Sequence, residues 1–511
     1  MIVAVAVPAG KVPQWHAWAI AALRAEPALT VRVVRVPDSR PGPGRPLAAR
    51  LGVAALAPVE IAAEGAELAG ADAVLDLTGG GVSAEAPRGV WRFRIGEDDD
   101  PALPAGREIA SGAATFTTAL LRRTGSTTEV VRTGRFGVTR WYPGTIRLAL
   151  GETARWPAVV LSALAAGAAV AGTPLIVRSA PRPLGALGTA RFCGWLVRRL
   201  AAAATASLLE VSEWNVGFVH GEAARLLSPD PLEVRWLPRP EPFTFIADPF
   251  VVERDGVRAL LVETFEYDHG RGVIDALILD EDDNVVRRER AIDGATHLSY
   301  PYPVEIDGEL YLVPETCERN EVALYRCVRF PDRWEREIAL FPAFDGVDTT
   351  LFAHGGRWWA FCTRYSRGST LALNAFHADS PRGPWRPHAL NPIVVDVASA
   401  RPAGQPFVVD GTLYRPAQDC SDSYGGGLVI ARIDELTPDS YREEIVQRHA
   451  AGGFGRWNRG IHTVSFTRGR IVVDGKYTYR DLRKLPATAR KAVGAARRLL
   501  KGGPANEATF A

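Results

Sequence analysis

The sequence predicts a multidomain chain: an N-terminal α/β domain with a parallel sheet, followed by an all-β domain built as a five-bladed β-propeller. The main observation is a sequence pattern that recurs five times in the second half of the chain. It consists of an apolar strand, a tight glycine-containing turn and a second, usually aromatic strand. Copies spaced by roughly 50 residues are typical of propellers, whose blades are small antiparallel sheets. Asp-Gly and Gly-Gly pairs favour hairpins because glycine accepts a positive φ. The turn glycines are Gly256, Gly308, Gly356, Gly411 and Gly469.

Residues 1–150 have a different pattern, in which short apolar strands alternate with a helical segment. Strands are expected at 2–7, 30–36 and 73–77, and a helix at 14–25. This order predicts a parallel α/β sheet. The Thr-Gly-Gly-Gly run at 78–81 lacks the spacing of a nucleotide-binding loop, so we interpret it as a sharp turn.

The order of segments in this domain resembles the formyltransferase-like fold of methionyl-tRNA and sugar-nucleotide formyltransferases. The resemblance is carried by DAVLDLTGG, GVWRFRIGEDD, PAGREI and TTALLRR. Arg94 occupies the position of the family's histidine, and no matching Asn–His pair follows. Because an arginine stays charged near neutral pH, it cannot serve as a general base. We expect a domain that kept the fold, lost the chemistry, and binds neither folate nor S-adenosylmethionine.

The remaining boundaries follow from composition. Residues 151–239 are predicted to form a helical bridge and a proline-rich linker, residues 240–480 the propeller, and residues 481–511 a basic helical tail. The uncharged stretch 157–177 predicts a buried alanine-rich helix, with a membrane segment as the alternative. The tail predicts either a solvated or docked helix, or one that contacts an anionic membrane surface.

Charge and cysteine content exclude several classes of function. The net charge of +2 gives no indication of nucleic-acid binding. The five cysteines are scattered, which predicts neither a disulfide framework nor a zinc site and favours a cytoplasmic location. No cofactor and no metal is expected. The cysteines are Cys193, Cys317, Cys327, Cys362 and Cys420.

The repeat also predicts which side chains meet at one face of the propeller. Each first strand begins about eight residues before its turn glycine, and each second strand ends about seven residues after it, so both ends return to one face. Counting back gives Asp248, Tyr300 and Asp348. Counting forward gives Glu263, Glu315, Gln418 and Lys476, and a slip of one or two residues adds Arg401 and His462. Aromatic residues expected beside them are Tyr267, Tyr302, Tyr424 and Trp457.

This inventory indicates a carbohydrate site. Carboxylates can exchange protons and bind sugar hydroxyls, while aromatic rings stack on sugar faces, and such mixed groups in a concave mouth are where pKa values become perturbed. The structural alternative is that acidic residues at strand starts simply cap neighbouring backbone N–H groups. The turn residues Asp255, Asp307 and Asp410 carry no functional weight, because aspartate is favoured in such turns.

At these residues the chain resembles the five-bladed glycoside hydrolases of the arabinanase, β-xylosidase and invertase group. ADPF, at 247–250, is similar to the motif whose aspartate is the general base, which implies that role for Asp248. VDTTLF, at 347–352, looks like the motif whose aspartate tunes the acid and orients the sugar, which implies that role for Asp348. His462 matches a histidine that those enzymes place near the channel axis.

The block from 240 to 480 more closely resembles the N-terminal region of plant glucosamine inositolphosphorylceramide transferases and their bacterial homologues. It includes HLSYPYPVEIDGELYLVPE, SPRGPW and GIHTVS. This resemblance implies a glycan or glycolipid partner. The glycosyltransferase domain that follows in the plant proteins has no counterpart in this sequence.

One departure from the hydrolase pattern matters most. Those enzymes place their acid, a glutamate, at the start of blade four, where this chain has SARPAG with Arg401 at the expected position. An arginine cannot protonate a leaving oxygen, whereas glycoside hydrolysis needs two carboxyl groups. Either Glu315 or Glu263 supplies the acid, or the propeller does not hydrolyse glycosides. An arginine here would also suit an anionic substrate group.

Three functions therefore remain open. The first is a glycosidase-like or glycosyl-transferring enzyme with Asp248, Asp348 and Glu315 as catalytic residues. The second is a non-catalytic glycan-binding protein built from two degenerate enzyme folds. The third is formyl or acyl transfer by the N-terminal domain, which needs a histidine or carboxylate beside an open pocket at the strand ends.

Overall fold

A computed structural model describes residues 1–37, 51–65, 67–79, 82–97, 99–100, 103–139, 141–175 and 184–484. The chain divides into two compact units, Met1–Leu200 and Ala201–Ala511. Most of the predicted basic tail lies outside the described residues, as do the last two glycines of the 78–81 run.

Within its described residues, the first unit contains nine strands and four complete helices. The strands are β1 (Ile2–Pro8), β2 (Val12–Pro13), β3 (Thr30–Val36), β4 (Pro58–Val59), β5 (Ala73–Asp76), β6 (Val90–Ile95), β7 (Thr115–Thr124), β8 (Thr127–Gly137) and β9 (Thr173–Pro174). The helices are α1 (Gln14–Arg24), α2 (Gly106–Ser111), α3 (Tyr142–Thr153) and α4 (Trp156–Ala165). A longer helix, α5 (Ala186–Leu209), begins in this unit and ends in the second.

The main sheet of this unit is mixed. Its strand order is β3-β1-β5-β6-β7-β8-β9. The first four strands run parallel, while β7, β8 and β9 pair antiparallel. The prediction of a parallel sheet was therefore wrong for the part formed by β7, β8 and β9. In this part, β7 and β8 form a long antiparallel hairpin around Gly125, whose φ is 56°. The resemblance to formyltransferases is not confirmed and stays a prediction. Arg94 lies within β6.

The stretch 157–177 begins inside a buried helix. In α4, Trp156 and Leu161 are fully buried and Val160 nearly so. The expected buried helix is present in the first part of this stretch, because its apolar surface packs against protein. It ends at Ala165, and the exposed strand Thr173–Pro174 follows, so the prediction was wrong for the second part. Of the helices in the described part of the chain, α5 has the length and apolar composition needed to cross a membrane.

The second unit is a propeller of five sheets. Blade one is β12 (Thr244–Arg254), β13 (Val257–Glu266), β14 (Arg271–Leu279) and β15 (Val285–Ile292); blade two is β16 (Ser299–Ile306), β17 (Glu309–Glu315), β18 (Glu321–Arg329) and β19 (Arg333–Pro342). Blade three is β20 (Gly346–His354), β21 (Arg357–Arg364), β22 (Ala372–Ala378), β23 (Arg386–Pro387) and β24 (Val394–Val395). Blade four is β25 (Phe407–Val409), β26 (Thr412–Asp419), β27 (Gly427–Leu436) and β28 (Tyr441–Ala450). The predicted five-bladed propeller is confirmed.

The fifth blade is assembled from both ends of the unit. It contains β10 (Glu210–His220), β11 (Arg235–Trp236), β29 (Val464–Thr467) and β30 (Arg470–Arg480), in the order β11-β10-β30-β29. The antiparallel pairing of β10 with β30 runs from Glu210↔Arg480 to His220↔Arg470. The predicted boundary at residue 240 therefore differs from the structure, because β10 and β11 come from the expected helical bridge and linker. This pairing joins the two ends of the ring.

The repeated hairpins form for the reason predicted. At the turn of blade one, Asp255 and Gly256 both have positive φ, 51° and 74°. Asp307–Gly308 and Asp410–Gly411 repeat that geometry. Such turns match the right-handed twist of the strands they join, so each copy of the repeated pattern folds locally into the two inner strands of a blade.

Candidate functional site at the centre of the propeller

Three inner strands carry a bulge at the same place, and the side chain at each bulge contacts a neighbouring blade. The register shifts lie between Ala247 and Phe250, Ser299 and Tyr302, and Val347 and Thr350. The extra residue in each has a left-handed backbone. These residues are Asp248 (φ 51°), Tyr300 (φ 45°) and Asp348 (φ 49°). Non-glycine residues with this conformation are strained and cluster at functional sites.

Asp248 contacts residues of the neighbouring blades. Its Oδ1 accepts a hydrogen bond from Thr463 Oγ1 at 2.6 Å, and its Oδ2 accepts one from the Tyr300 backbone N–H at 3.1 Å. His462 Nε2 lies 3.7 Å from Asp248 Oδ1, and His462 Nδ1 lies 2.5 Å from Asp474 Oδ2. The imidazole therefore lies between two buried carboxylates.

Asp474 holds this arrangement through its own two oxygens. Its Oδ1 accepts hydrogen bonds from the backbone N–H groups of His462 and Thr463, and its Oδ2 accepts one from the backbone N–H of Asp248. Burial alone would lower the pKa of His462, but the adjacent Asp474 and Asp248 carboxylates raise it above its usual value. A positively charged His462 is the form that this environment favours.

A second group is built around Asp348. Arg401 donates two hydrogen bonds to it, from Nε to Oδ2 at 2.7 Å and from Nη2 to Oδ1 at 3.2 Å. Gln418 Nε2 donates to the same Oδ2 at 2.9 Å. Arg401 Nη2 also lies 3.8 Å from Glu315 Oε2. The arginine at the expected acid position is thus an ion-pair partner of the neighbouring aspartate.

Glu315 is a buried carboxyl group with an unusual environment. Cys317 Sγ donates to its Oε1 at 3.1 Å, while Oε2 is buried without a hydrogen-bond partner among the described residues. Burial, together with the Asp348 carboxylate, raises the pKa of Glu315 to about 8, although Arg401 opposes the shift. Glu315 is therefore mainly protonated at neutral pH.

Two further carboxyl groups of the cluster, those of Asp248 and Glu263, also have raised pKa values. Burial raises the pKa of Asp248 to about 6, with His462 opposing the shift. Burial and the carboxylates of Asp248, Glu315 and Asp348 raise the pKa of Glu263 well above its usual range. Its Oε1 lies 3.6 Å from His297 Nε2. Burial therefore raises the pKa of all three carboxyl groups, and that of Glu315 more than that of Asp248.

Aromatic and cationic side chains line one side of the cluster. Tyr424 is 36% exposed, and its ring centroid lies 5.0 Å from the Arg401 guanidinium carbon. Trp214 stacks on His462 with ring centroids 4.0 Å apart. Lys476 Nζ lies 5.2 Å from the Trp214 ring and donates a hydrogen bond to the Tyr424 carbonyl. Burial lowers the pKa of Lys476 to about 8.

Most of the predicted site residues meet in this cluster, but the flanking aromatic residues divide. Tyr424 belongs to the cluster. Tyr302 does not, because it packs in an apolar core and donates a hydrogen bond to the Leu351 carbonyl. Trp457 is buried beside Trp236, and the Tyr267 hydroxyl donates to the Ser212 carbonyl. The predicted residues brought together are Asp248, Glu263, Glu315, Asp348, Arg401, Gln418, Tyr424, His462 and Lys476.

Sequence reasoning missed three members of the cluster. Trp214 lies in β10, outside the predicted propeller. Asp474 lies two residues before Lys476 on β30. It was missed because counting forward from the turn glycine considered only the residue at the end of the strand. Thr463 follows His462 directly. The two-residue alternation of a strand would have shown that Asp474 shares a face with Lys476.

Asp248, His462 and Asp474 could also hold a metal ion by proximity, since each offers a ligand atom within 4.8 Å of the others. Both oxygens of Asp474 already accept hydrogen bonds, and Asp248 accepts two. A bound cation would have to displace these contacts.

The fold and the site together define a five-bladed propeller with a central cluster of acidic, basic and aromatic side chains. Residues 238–460 match the family model described as glucosamine inositolphosphorylceramide transferase 1, N-terminal. This match confirms the resemblance of the propeller that was predicted from the sequence.

Individual relatives agree with the family model. The glucosamine inositolphosphorylceramide transferase 1 of Oryza sativa subsp. japonica is 35% identical over 226 residues, which are 42% of this chain and 30% of that protein. The protein of that name from Arabidopsis thaliana is 31% identical over 257 residues, 45% of this chain and 33% of that protein. The similarity thus spans about a third of the length of these relatives.

Similar solved structures include RS223-β-xylosidase, with a TM-score of 0.33 and 15% identity over 42% of this chain and 80% of that one. The GH43_1 enzyme from Xanthomonas citri has a TM-score of 0.33 and 12% identity, over 47% of this chain and 92% of that one.

Proposed function

We propose that the propeller is a carbohydrate-active enzyme that hydrolyses or transfers a glycosidic linkage of a glycan or glycolipid at its central cluster. The observation that carries the proposal is the contrast between two buried carboxyl groups of the cluster. Asp248 accepts hydrogen bonds on both oxygens, whereas Glu315 Oε2 has no hydrogen-bond partner among the described residues, and burial raises the pKa of Glu315 more than that of Asp248. Environments that push two such values apart assign one group as base and the other as acid. The names of the plant relatives, which are transferases of a glycolipid, support the substrate class.

Each residue has a role in this proposal. Asp248 accepts a proton from water or an acceptor hydroxyl, and Glu315 gives its proton to the leaving oxygen. Asp348 orients the sugar, because it is fixed by Arg401 and Gln418. Tyr424, which is 36% exposed, contacts the sugar with its ring.

Glu315→Gln tests the assignment of the acid. The amide is nearly isosteric but cannot give up a proton. We therefore expect kcat for glycosidic bond cleavage to fall by about a hundredfold or more while the fold is kept. Glu309→Gln is the matched control, since Glu309 lies on the same strand β17 but is exposed. Hydrolysis or transfer is measured with a panel of neutral aryl-glycosides, and the fold by circular dichroism.

The pH profile provides an independent check. A base that must be ionised and an acid that must be protonated give a bell-shaped profile of kcat/KM. Activity is expected to rise as the pH passes about 6 and to fall above about 8. Full activity of Glu315→Gln on every substrate that the wild type cleaves would contradict this proposal.

The second candidate function is a non-catalytic glycan receptor, and the Arg401–Asp348 pair favours it. In the hydrolase-like pattern that position carries the acid, whereas here it carries a cation already occupied by Asp348. Binding on a glycan array without turnover of any glycoside would establish the receptor.

An anionic substrate group remains part of the proposal. Two of the Arg401 nitrogens are occupied by Asp348, which leaves Nη1 without a hydrogen-bond partner in the described part of the chain. Lys476 supplies a second cation. Preference for phosphorylated or uronate-containing glycans on the array would support this.

A cytoplasmic location is proposed as well, on the ground that all five cysteines are free. For the N-terminal domain, we propose that it binds neither folate nor S-adenosylmethionine. Micromolar affinity for formyl-tetrahydrofolate in a calorimetric titration would refute this.

A further inference from the structure

The helix α5 exposes an unusual amount of apolar surface. It is 24 residues long, and only 17% of its most apolar window is buried. Leu187 and Val197 are each 68% exposed, and Leu200 and Leu208 are also exposed. Exposed apolar side chains that follow one another along a helix mark an interaction surface.

The opposite side of α5 is fixed to the protein. Phe192 is fully buried and packs edge-on against Tyr142, with ring centroids 5.1 Å apart. Trp195 is also buried, and Arg199 lies 5.3 Å above its ring. A helix held along one side in this way cannot be surrounded by lipid, so it is not suited to crossing a bilayer.

The charges on α5 are all positive. The segment contains Arg191, Arg198 and Arg199 and no acidic residue, and Arg191 and Arg198 are exposed beside the apolar side chains. Arginines among exposed leucine and valine residues are typical of helices that lie in the interface of a membrane containing anionic lipid.

We propose that α5 is a membrane-docking helix that lies in the plane of an anionic bilayer surface. Its apolar side chains enter the boundary between headgroups and acyl chains, and Arg191 and Arg198 contact lipid phosphates. This inference does not depend on the chemistry of the propeller cluster.

The C-terminal sequence supplies a second basic element beside the end of α5. The Asp481 N–H donates to the Leu209 carbonyl at 2.8 Å, and Lys484 Nζ donates to the Ala206 carbonyl at 3.2 Å. After residue 484 the sequence contains Arg490, Lys491, Arg497, Arg498 and Lys501, against Glu507 as its acidic residue. Basic residues in this sequence would add to the electrostatic attraction between the protein and an anionic bilayer surface.

Vesicle binding by the full chain tests the proposal. Cys193 is the exposed cysteine of the five and lies on α5, so it accepts an environment-sensitive fluorophore. Vesicles of phosphatidylglycerol and phosphatidylcholine should co-sediment the protein and shift the fluorophore emission to the blue. Vesicles of phosphatidylcholine alone should bind about tenfold or more weakly, and raised salt should release the protein.

Two variants separate the apolar from the electrostatic contribution. Leu187→Glu combined with Val197→Glu, and Arg191→Glu combined with Arg198→Glu, should each weaken binding to anionic vesicles by about tenfold or more. Val286→Glu is the matched control, because Val286 is 62% exposed on β15 of the propeller, and it should bind like the wild type.

Three results would overturn the proposal. The first is equal binding of the wild type and both α5 variants. The second is a self-associated protein whose α5 variants become monomeric while the wild type ignores vesicles. The third is insertion that resists salt and alkaline carbonate, as expected of a spanning helix.

Discussion

At the scale of single residues, the pairing of Arg401 with Asp348 changes what the site can do. Arg401 donates two hydrogen bonds to the Asp348 carboxylate and so fixes its position. Burial, the largest cause, and the Asp348 carboxylate raise the pKa of Glu315, while Arg401 lowers it. The arginine at the position of the missing acid therefore holds Asp348 beside Glu315 and does not itself favour the protonated form of Glu315.

Arg401→Ala should be strongly destabilising. It leaves Asp348 as a buried charge without its partner, which costs about 3–5 kcal/mol of the free energy of unfolding. Arg432→Ala removes an exposed arginine paired with Asp434 and should cost less than about 1 kcal/mol. Urea unfolding measures both changes. Equal effects of the two variants would show that the Arg401–Asp348 pair contributes no more than a surface contact.

The pKa of Glu315 also makes stability depend on pH. Its value in the folded protein, about 8, lies above the usual 4.5, so between these values the native state binds more protons than the unfolded state. The free energy of unfolding must therefore decrease as the pH rises through this window, by at most about 1.4 kcal/mol per pH unit for one proton.

Glu315→Gln removes the ionisable carboxyl group, so the free energy of unfolding should decrease less steeply as the pH rises. The free energy of unfolding of the variant minus that of the wild type should be larger at about pH 8 than at about pH 5. The reason is that residue 315 ionises, and costs stability, only in the wild type. Urea unfolding across this range measures the slope, with Glu309→Gln as the control that keeps it. An unchanged slope in Glu315→Gln would mean that Glu315 titrates as an ordinary exposed glutamate.

At the scale of elements, the bulges of the inner strands connect the blades. Tyr300, at the bulge of blade two, shares a hydrogen bond with Thr350 of blade three at 2.8 Å and accepts one from the Gly404 N–H at 2.9 Å. Gly404 in turn bridges to Val464 at the start of blade five. The strained residues thus hold the central strands in register as well as aiming side chains at the cluster.

Gly404→Ala should disrupt this connection. Gly404 has a φ of +113°, and a Cβ there would lie 1.8 Å from the Val464 carbonyl oxygen, a backbone atom that cannot move aside. We expect a loss above about 4 kcal/mol in the free energy of unfolding.

Gly411→Ala is the matched control for Gly404→Ala. Gly411 also has a positive φ, +75°, but nothing lies within 4 Å of its added Cβ. Its cost should be about 1–2 kcal/mol, the strain of the backbone alone. The two variants are compared by thermal and urea unfolding. Similar costs would show that the contact between Gly404 and Val464 is loose.

Local signals predicted the hairpins because an Asp-Gly turn is encoded by adjacent residues. The offset from the turn glycine also identified Asp248 and Asp348, since each hairpin keeps its length. It could not separate Tyr300 from Tyr302, because both lie on one strand two residues apart. Both rings pack in the same apolar core and both hydroxyls reach blade three, but Tyr300 also accepts the Gly404 N–H. This difference depends on the bulge between Ser299 and Tyr302, which no local sequence pattern marks.

At the scale of the whole molecule, closure of the propeller is the feature that the sequence concealed. Strand β10 pairs with β30 across more than half of the chain, and such long-range pairing leaves no periodic signal near either strand. Trp214 comes from β10, which is why the predicted site lacked it. The mixed sheet of the first unit was missed for a related reason, since strand direction depends on pairing.

Closure also predicts where the propeller can be cut. A fragment of residues 201–484 contains every propeller strand and should unfold in one cooperative transition. A fragment of residues 238–484 starts where the family model begins to match but lacks β10 and β11. It exposes the edge of β30 and the apolar residues that pack against β10, so it should aggregate or fail to fold.

The comparison is made by calorimetry and size-exclusion chromatography on the two fragments. A third fragment, residues 210–484, separates closure from the contribution of α5, because it keeps β10 but omits the helix. It should fold like the longest fragment, since β30 then has its antiparallel partner along its full length. Cooperative folding of residues 238–484 would contradict the argument, because a blade of two strands would then be enough to hold the ring.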